Sequence, residues 1–284
     1  MVVWTIAALT LREAARRRLL TAVGILTLVM IIFTVWGFSR LPTLTCGGTP
    51  CSPVEIRTIA AGLLILVAYM FSVILAIGAA FVAAPAIAGE IESGVMLAML
   101  PRPIRRAEIV LGKWLGLAIL VTLYAGLTGA LEFLGIKLAI GYVPPQPVLA
   151  LLFLIGQGIV LLTLALFCST RLSPITAGVV AVILFGLARL GGIAEAIGLA
   201  FQNETIAAVG TVMSLLLPTD GLWRGVAFFM EPVALIALAS NQRAAAANPF
   251  FASSPPTTAF ILWAVGWVVV VLGMAVFSFD RRDL

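Results

Sequence analysis

Six stretches of this chain run for about the length of a bilayer-crossing helix with almost no charge inside them: roughly residues 19–38, 58–84, 114–136, 148–168, 175–190 and 258–278. No other feature limits the fold as strongly. Lipid offers the backbone no hydrogen-bond partner, so a lipid-exposed apolar stretch must pair its amides with its own carbonyls, as a helix does. The expected fold class is an all-α polytopic membrane protein, one transmembrane domain over 1–284 with six transmembrane helices. Composition points the same way, with 62% of the 284 residues apolar and only 10% charged. A soluble domain carries about a quarter charged residues. Basic residues precede the first stretch as they precede a secretory signal. That stretch is too long for a signal core and no small-residue cleavage site follows it, so an uncleaved span is expected.

What is missing narrows the chemistry. There is no histidine, which removes Ser-His-Asp and Cys-His catalysis and every histidine-ligated metal site. No segment reads G-x-x-x-x-G-K-[ST], and Gly112-Lys113 lacks both the upstream glycine and the following hydroxyl. The chain is therefore not expected to be an enzyme, to bind ATP or to hold a metal. The basic balance, 17 Lys and Arg against 12 Asp and Glu, lies beside apolar spans. It reads as membrane orientation, not as nucleic-acid binding.

Those charges set a topology. With the N-terminus inside, 11 of the 17 basic residues fall in cytoplasmic segments and 5 outside, with Arg189 within a span. The positive-inside rule then places both termini in the cytoplasm, which requires an even number of spans. Residues 1–18 read as an interfacial helix closed by Arg12, Arg16, Arg17 and Arg18. These arginines either fix orientation alone or also touch a partner. Residues 191–257 hold two apolar stretches, 205–217 and 225–240, each too short for an ordinary span, and Glu231-Pro232 sits in the middle of the second. Short outer re-entrant helices are expected there, with six spans preferred over eight.

The most informative segment is the loop 89–113. It opens with Glu90 and Glu92, turns at Gly94, and continues as a short apolar run from Val95 to Leu100 that includes Leu97. Pro101 and Pro103, either side of Arg102, then stop the run, and a basic helix beginning near Ile104, with Arg105, Arg106, Glu108 and Lys113, is expected to enter the third span. An apolar knob flanked by charge fits either a docking element for a partner or a connector lying on lipid. Gly112-x-x-x-Gly116 permits close helix approach, although here the loop-to-span transition is the simpler explanation.

The order Glu90…Gly94…Arg102-Pro103-x-x-Arg106-x-Glu108…Gly112-Lys113 resembles the loop between helices two and three of ABC-2-type transporter permeases. The basic N-terminal helix, Leu217-Pro218-Thr-Asp220-x-Leu-Trp223-Arg224 and Phe279-Asp-Arg-Arg-Asp283 resemble that family too, so the likeness runs along nearly the whole chain. Gly94-Val95 departs from the Gly-Thr of many members. The resemblance implies a multi-pass permease of the cell (inner) membrane, working as a homodimer with two copies of an ATP-binding subunit that holds ATP and Mg. It implies that Glu90, Glu92, Gly94, Leu97, Leu100, Arg102, Pro103 and Arg106 couple to that subunit. It also implies that helices two and five line the path, which makes Tyr69, Ser72 and Phe185 path candidates. Export of a hydrophobic or amphipathic cargo is expected. A gradient-driven carrier, or a permease serving metalloenzyme maturation, is the alternative. A carrier would place ionisable residues near the midplane of broken helices, and none is evident there.

Four residues remain. Cys46 and Cys51 flank Gly-Gly-Thr-Pro in the outer loop. A disulfide is the leading reading there, two free thiols the next, and a metal pair the last, since no histidine completes a shell. Glu132 and Arg189 are the sharpest charges within spans. Both are expected near outer helix ends, as an ion pair, as snorkelling side chains or as a substrate gate.

Overall fold

A computed structural model of the protein describes residues 2–15, 18–94, 105–232, 248, 250–252 and 254–282, with backbone alone for 18–20. The expected 95–100 helix, with Leu97, Leu100, Arg102 and Pro103, lies outside these residues. So do Arg16, Arg17 and the later part of the 225–240 stretch.

The described elements are helical apart from one small hairpin. Helix α1 (Val2–Ala15) leads to α2 (Arg18–Ser39). After a short 3-10 turn, strands β1 (Thr45–Cys46) and β2 (Thr49–Pro50) pair antiparallel. Then follow α3 (Pro53–Ala83), α4 (Pro85–Glu92), α5 (Arg106–Ile140), α6 (Pro147–Ser169) and α7 (Pro174–Ala200). The chain continues through α8 (Glu204–Leu216) and α9 (Thr219–Met230) to α10 (Thr258–Asp280). Six of the helices are long and apolar enough to cross a membrane, and the pair α8–α9, bent by 96°, would make a seventh if counted as one span.

Local chemistry sets the helix starts. Ser52 caps α3 by accepting the Glu55 N–H, while the Glu55 carboxylate accepts the Ser52 N–H at 2.8 Å, and Pro53 takes the first position, where no N–H is needed. Ser173, Asn203 and Thr257 cap α7, α8 and α10 by accepting the N–H of Thr176, Ile206 and Phe260. Helix α5 ends on Gly141 at φ +68°, a left-handed conformation that glycine adopts without steric cost.

Several boundaries differ from the sequence reading. Helix α5 begins at Arg106, close to the basic helix expected from about Ile104 and ahead of the expected span 114–136, because Glu108 reaches back to the Arg105 N–H at 3.0 Å and starts the helix inside the charged segment. Helix α7 runs on to Ala200, past the expected 190, because Gly191 and Gly192 lie where neighbouring chain packs closely and do not break the helix. The second short outer helix begins at Thr219 and not at 225, and it ends at Met230; residues 233–240 of the expected stretch lie outside the described residues. Pro232 disfavours a helical conformation for the residue before it, and Glu231 is extended at ψ 128°.

Helix α6 is the hub, packed against α3, α5, α7, α9 and α10. Leu161, Leu162 and Leu166 of α6 are fully buried, together with Leu64, Leu75, Ile136 and Trp223 from its neighbours. Helix α2 is peripheral. It presents Ile25, Leu26, Ile32, Phe33 and Trp36 outward, which in a bilayer is a lipid-facing surface. Helix α1 lies against α5 at Gly112 and Gly116, where an added Cβ would sit 2.7 Å from Ile6 Cβ and 2.5 Å from the Ala7 carbonyl. The Gly112-x-x-x-Gly116 spacing therefore serves close helix approach and not merely the transition into the span.

Candidate functional site

Two groups of polar side chains organise the molecule, one inside the bundle and one where the charged loop meets the helices. The first is centred on Arg189 of α7, which is 6% exposed. Its Nη2 donates to Ser72 Oγ of α3 at 2.8 Å and to Gln157 Oε1 of α6 at 3.4 Å, and Gln157 Nε2 donates to the same serine at 2.9 Å. The guanidinium carbon lies 5.2, 5.3 and 5.1 Å from the ring centres of Tyr69, Phe185 and Trp223, within cation–π range.

The counter-charge comes from the bent pair. Asp220, in the first turn of α9, stands 3.7 Å from Arg189 and accepts from Arg224 Nε at 3.0 Å. Arg224 also contacts Glu195 of α7 at 2.5 Å, and Thr211 of α8 donates to Glu195 at 2.7 Å. Two arginines thus balance two carboxylates. A helix N-terminus favours a negative side chain, so Asp220 is well placed. Its carboxylate fills the space that a Cβ on Gly192 would need, so glycine is required there.

Helix α8 reaches this position by folding back along α7. Gly198 abuts Ala207, and Gly191 abuts Gly210 and Met213, an antiparallel contact at backbone distance. The carbonyls at the C-terminus of α8 would be unpaired, but Trp267 and Trp263 of α10 donate to Leu216 and Leu215 at 2.9 and 3.2 Å.

The second group lies at the other end of the bundle. Lys113 of α5 is buried and ion-paired with Glu90 of α4. The Arg106 guanidinium donates to the carbonyls of Phe279, Asp280 and Arg282 at 3.2, 3.0 and 2.7 Å, gripping the C-terminus of α10, where free carbonyls concentrate. Arg282 in turn donates to the Thr170 carbonyl at 2.6 Å, and Thr170 and Arg171 bond Ser278. One set of contacts thereby joins the start of α5, the end of α10 and the α6–α7 turn.

Of the path candidates, Tyr69, Ser72 and Phe185 all converge on Arg189. The coupling candidates divide: Glu90 and Arg106 are bound within the bundle, Glu92 is exposed, and Gly94 takes φ +74° at the end of the described segment. Cys46 and Cys51 form a disulfide with Cα atoms 4.9 Å apart. The Glu132–Arg189 pair does not form. Helices α5 and α7 each pack on α3 and α6, so Arg189 meets Asp220, and Glu132 lines a separate cleft whose described lining holds no arginine. The sequence reading missed Asp220, Arg224 and Glu195 as a network. The four-residue spacing of Asp220 and Arg224, one helical turn, was the available signal. Farther along, Glu231 accepts the Ala252 N–H at 3.0 Å, and burial pushes its carboxyl up to about 7.

A many-span helical bundle with several buried charges is the architecture of a polytopic membrane protein. The chain belongs to the ABC-2 family transporter proteins, whose family model matches residues 4–284. It is similar to the "Probable ABC transporter permease protein NosY" of Pseudomonas aeruginosa, with 30% identity over 304 aligned residues covering 100% of this chain and 99% of that one. A protein of the same name from Stutzerimonas stutzeri is 29% identical over 122 residues, covering 43% of this chain and 40% of that one. The chain is thus a multi-pass inner-membrane permease, the membrane subunit and not the ATPase of an ABC transporter. Membership implies an ATP-binding partner subunit.

Proposed function

We propose that two copies of this chain assemble with two ATP-binding subunits and export a hydrophobic or amphipathic molecule. Both termini lie in the cytoplasm, and α8–α9 enters from the outer side and returns to it. The 95–104 loop docks on the ATP-binding subunit, and Leu97 and Leu100 supply the apolar contact. ATP and Mg bind in that partner.

The observation that carries this reading is the anchoring of both loop ends. Glu90 is tied to Lys113, and Arg106 to the end of α10 and through Arg282 to the α6–α7 turn. A push on the loop is then delivered to several helices at once. The topology rests on the distribution of basic residues.

The test is ATPase stimulation in a reconstituted complex. Leu97→Asp, or deletion of 95–100, is expected to lower transport-coupled ATPase while membrane insertion stays intact. Unchanged stimulation would reject docking through this loop. One observation favours a gradient-driven carrier instead: Asp220 sits just after the break of a bent helix pair, facing Arg189. Transport that survives ATP depletion and stops on collapse of the ion gradient would decide for the carrier.

A further inference from the structure

The first turns of α5 carry contacts that docking of a loop does not by itself require. Arg106 and Lys113 stand seven residues apart, about two helical turns, and so lie on one face of α5. Lys113 holds α4 through Glu90. Arg106 Nη1 meets three carbonyls at the end of α10, and its guanidinium carbon lies 5.9 Å from the Phe279 ring centre. Phe279 is fully buried, so the end of α10 is fixed in the core as well as to α5.

The contacts continue from there to a third place. Arg282, just past α10, donates to the Thr170 carbonyl at 2.6 Å. Thr170 is fully buried at the end of α6, and both its hydroxyl and Arg171 Nε meet Ser278 of α10 at 2.9 Å. A guanidinium is planar and presents its donors as a fixed fork, so it holds two backbones in one relative position where a lysine would be a swivelling point charge. Both arginines bind carbonyls at helix C-termini, where the dipole favours positive charge. Arg106 Nη1 is therefore committed inside this chain.

We propose that Arg106 and Arg282 are positioning residues acting in series. They carry a displacement at the start of α5 through the end of α10 to the start of α7, and Arg106 does this instead of contacting the ATP-binding subunit. The inference rests on the loop-docking reading above and deepens it, since docking and transmission then fall to different residues.

The test uses the full chain reconstituted with its ATP-binding subunit in phosphatidylcholine nanodiscs. In a Cys168→Ala background, spin labels are placed at Ile25→Cys on the peripheral α2 and Ile175→Cys at the start of α7, positions 59% and 76% exposed. Their separation is measured with and without ATP and vanadate. It is expected to shift on trapping when both arginines are present. Arg106→Gln should abolish that shift and Arg282→Gln should reduce it, while both variants still co-purify with the ATP-binding subunit. Arg106→Lys, which keeps the charge and loses the fork, should restore only part of it. A purely structural role would lower the thermal midpoint and leave the shift in place. A full shift in either monodisperse Gln variant overturns the proposal, and so does a wild-type separation that does not respond to nucleotide. Loss of co-purification in Arg106→Gln also overturns it and returns Arg106 to the docking surface. If Arg106→Gln gives no monodisperse protein, Arg282→Gln carries the same test. The docking reading fails separately, on unchanged transport-coupled ATPase in Leu97→Asp with both arginines intact.

Discussion

Arg189 and Glu132 are equally withdrawn from solvent, each 6% exposed, and both sit in crossing-length helices. Their surroundings are opposite. Arg189 has a serine and a glutamine on one amine, an aspartate nearby and three aromatic rings around it. Glu132 has an apolar cleft. Burial alone therefore does not say what a membrane charge is for. A charge with polar partners and a counter-charge nearby holds structure together, even where, as at Arg189 Nε and Nη1, some of its N–H groups make no hydrogen bond among the described residues, whereas a charge with neither is costly to keep ionised.

The comparison breaks first at Asp220. Asp220→Ala leaves Arg189 and Arg224 short of a counter-charge and should cost about 3–5 kcal/mol, read as a lowered thermal midpoint of the purified protein. Adding Arg189→Met to that variant should recover part of the loss. A midpoint that does not move would show that the network does not hold the bent pair.

A purely apolar contact gives the next largest effect. Gly116→Leu forces α1 away from α5 and should cost about 1–3 kcal/mol, seen as faster protease cleavage near residues 16 and 17. The same cleavage rate in both proteins would mean that the close approach contributes little.

Glu132→Met should have the reverse sign of Asp220→Ala. Removing an acid that makes no hydrogen bond among the described residues should raise the midpoint by about 1 kcal/mol equivalent. A fall in stability would show that Glu132 has a structural partner.

A pH-dependent effect is expected at Glu231, at the end of α9. Its folded-state carboxyl titrates near 7 against an ordinary value of 4.5, so the folded protein holds that proton more tightly. Its contribution is fully present below pH 4.5 and is lost as pH rises towards 7. Glu231→Gln should flatten that part of the stability–pH curve, and an unchanged slope would assign it to other groups.

Much of the architecture was legible in the sequence. The spans 19–38, 148–168 and 258–278 fall within a residue or two of α2, α6 and α10, because runs of apolar residues without charge have little alternative to a helix in lipid. Tyr69, Ser72 and Phe185 were singled out as residues on helices two and five, and all three contact Arg189. The partner of Arg189 was not legible. It depends on α8 doubling back along α7 through Gly191, Gly198 and Gly210, which brings Asp220 beside a residue 31 positions earlier. Arg106 reads in sequence as one of several loop arginines, and only the position of the α10 C-terminus turns it into a latch.

The sequence by itself determined that the chain is helical, how many crossing-length segments it has and where its few charges lie along it. Those properties follow from local composition, since lipid requires each segment to satisfy its own backbone. The tertiary structure alone decided which buried charge is answered and which is not. A side chain's partner is set by distance in space, and packing brings together residues such as Ser72, Gln157, Arg189 and Asp220 that sequence order keeps far apart.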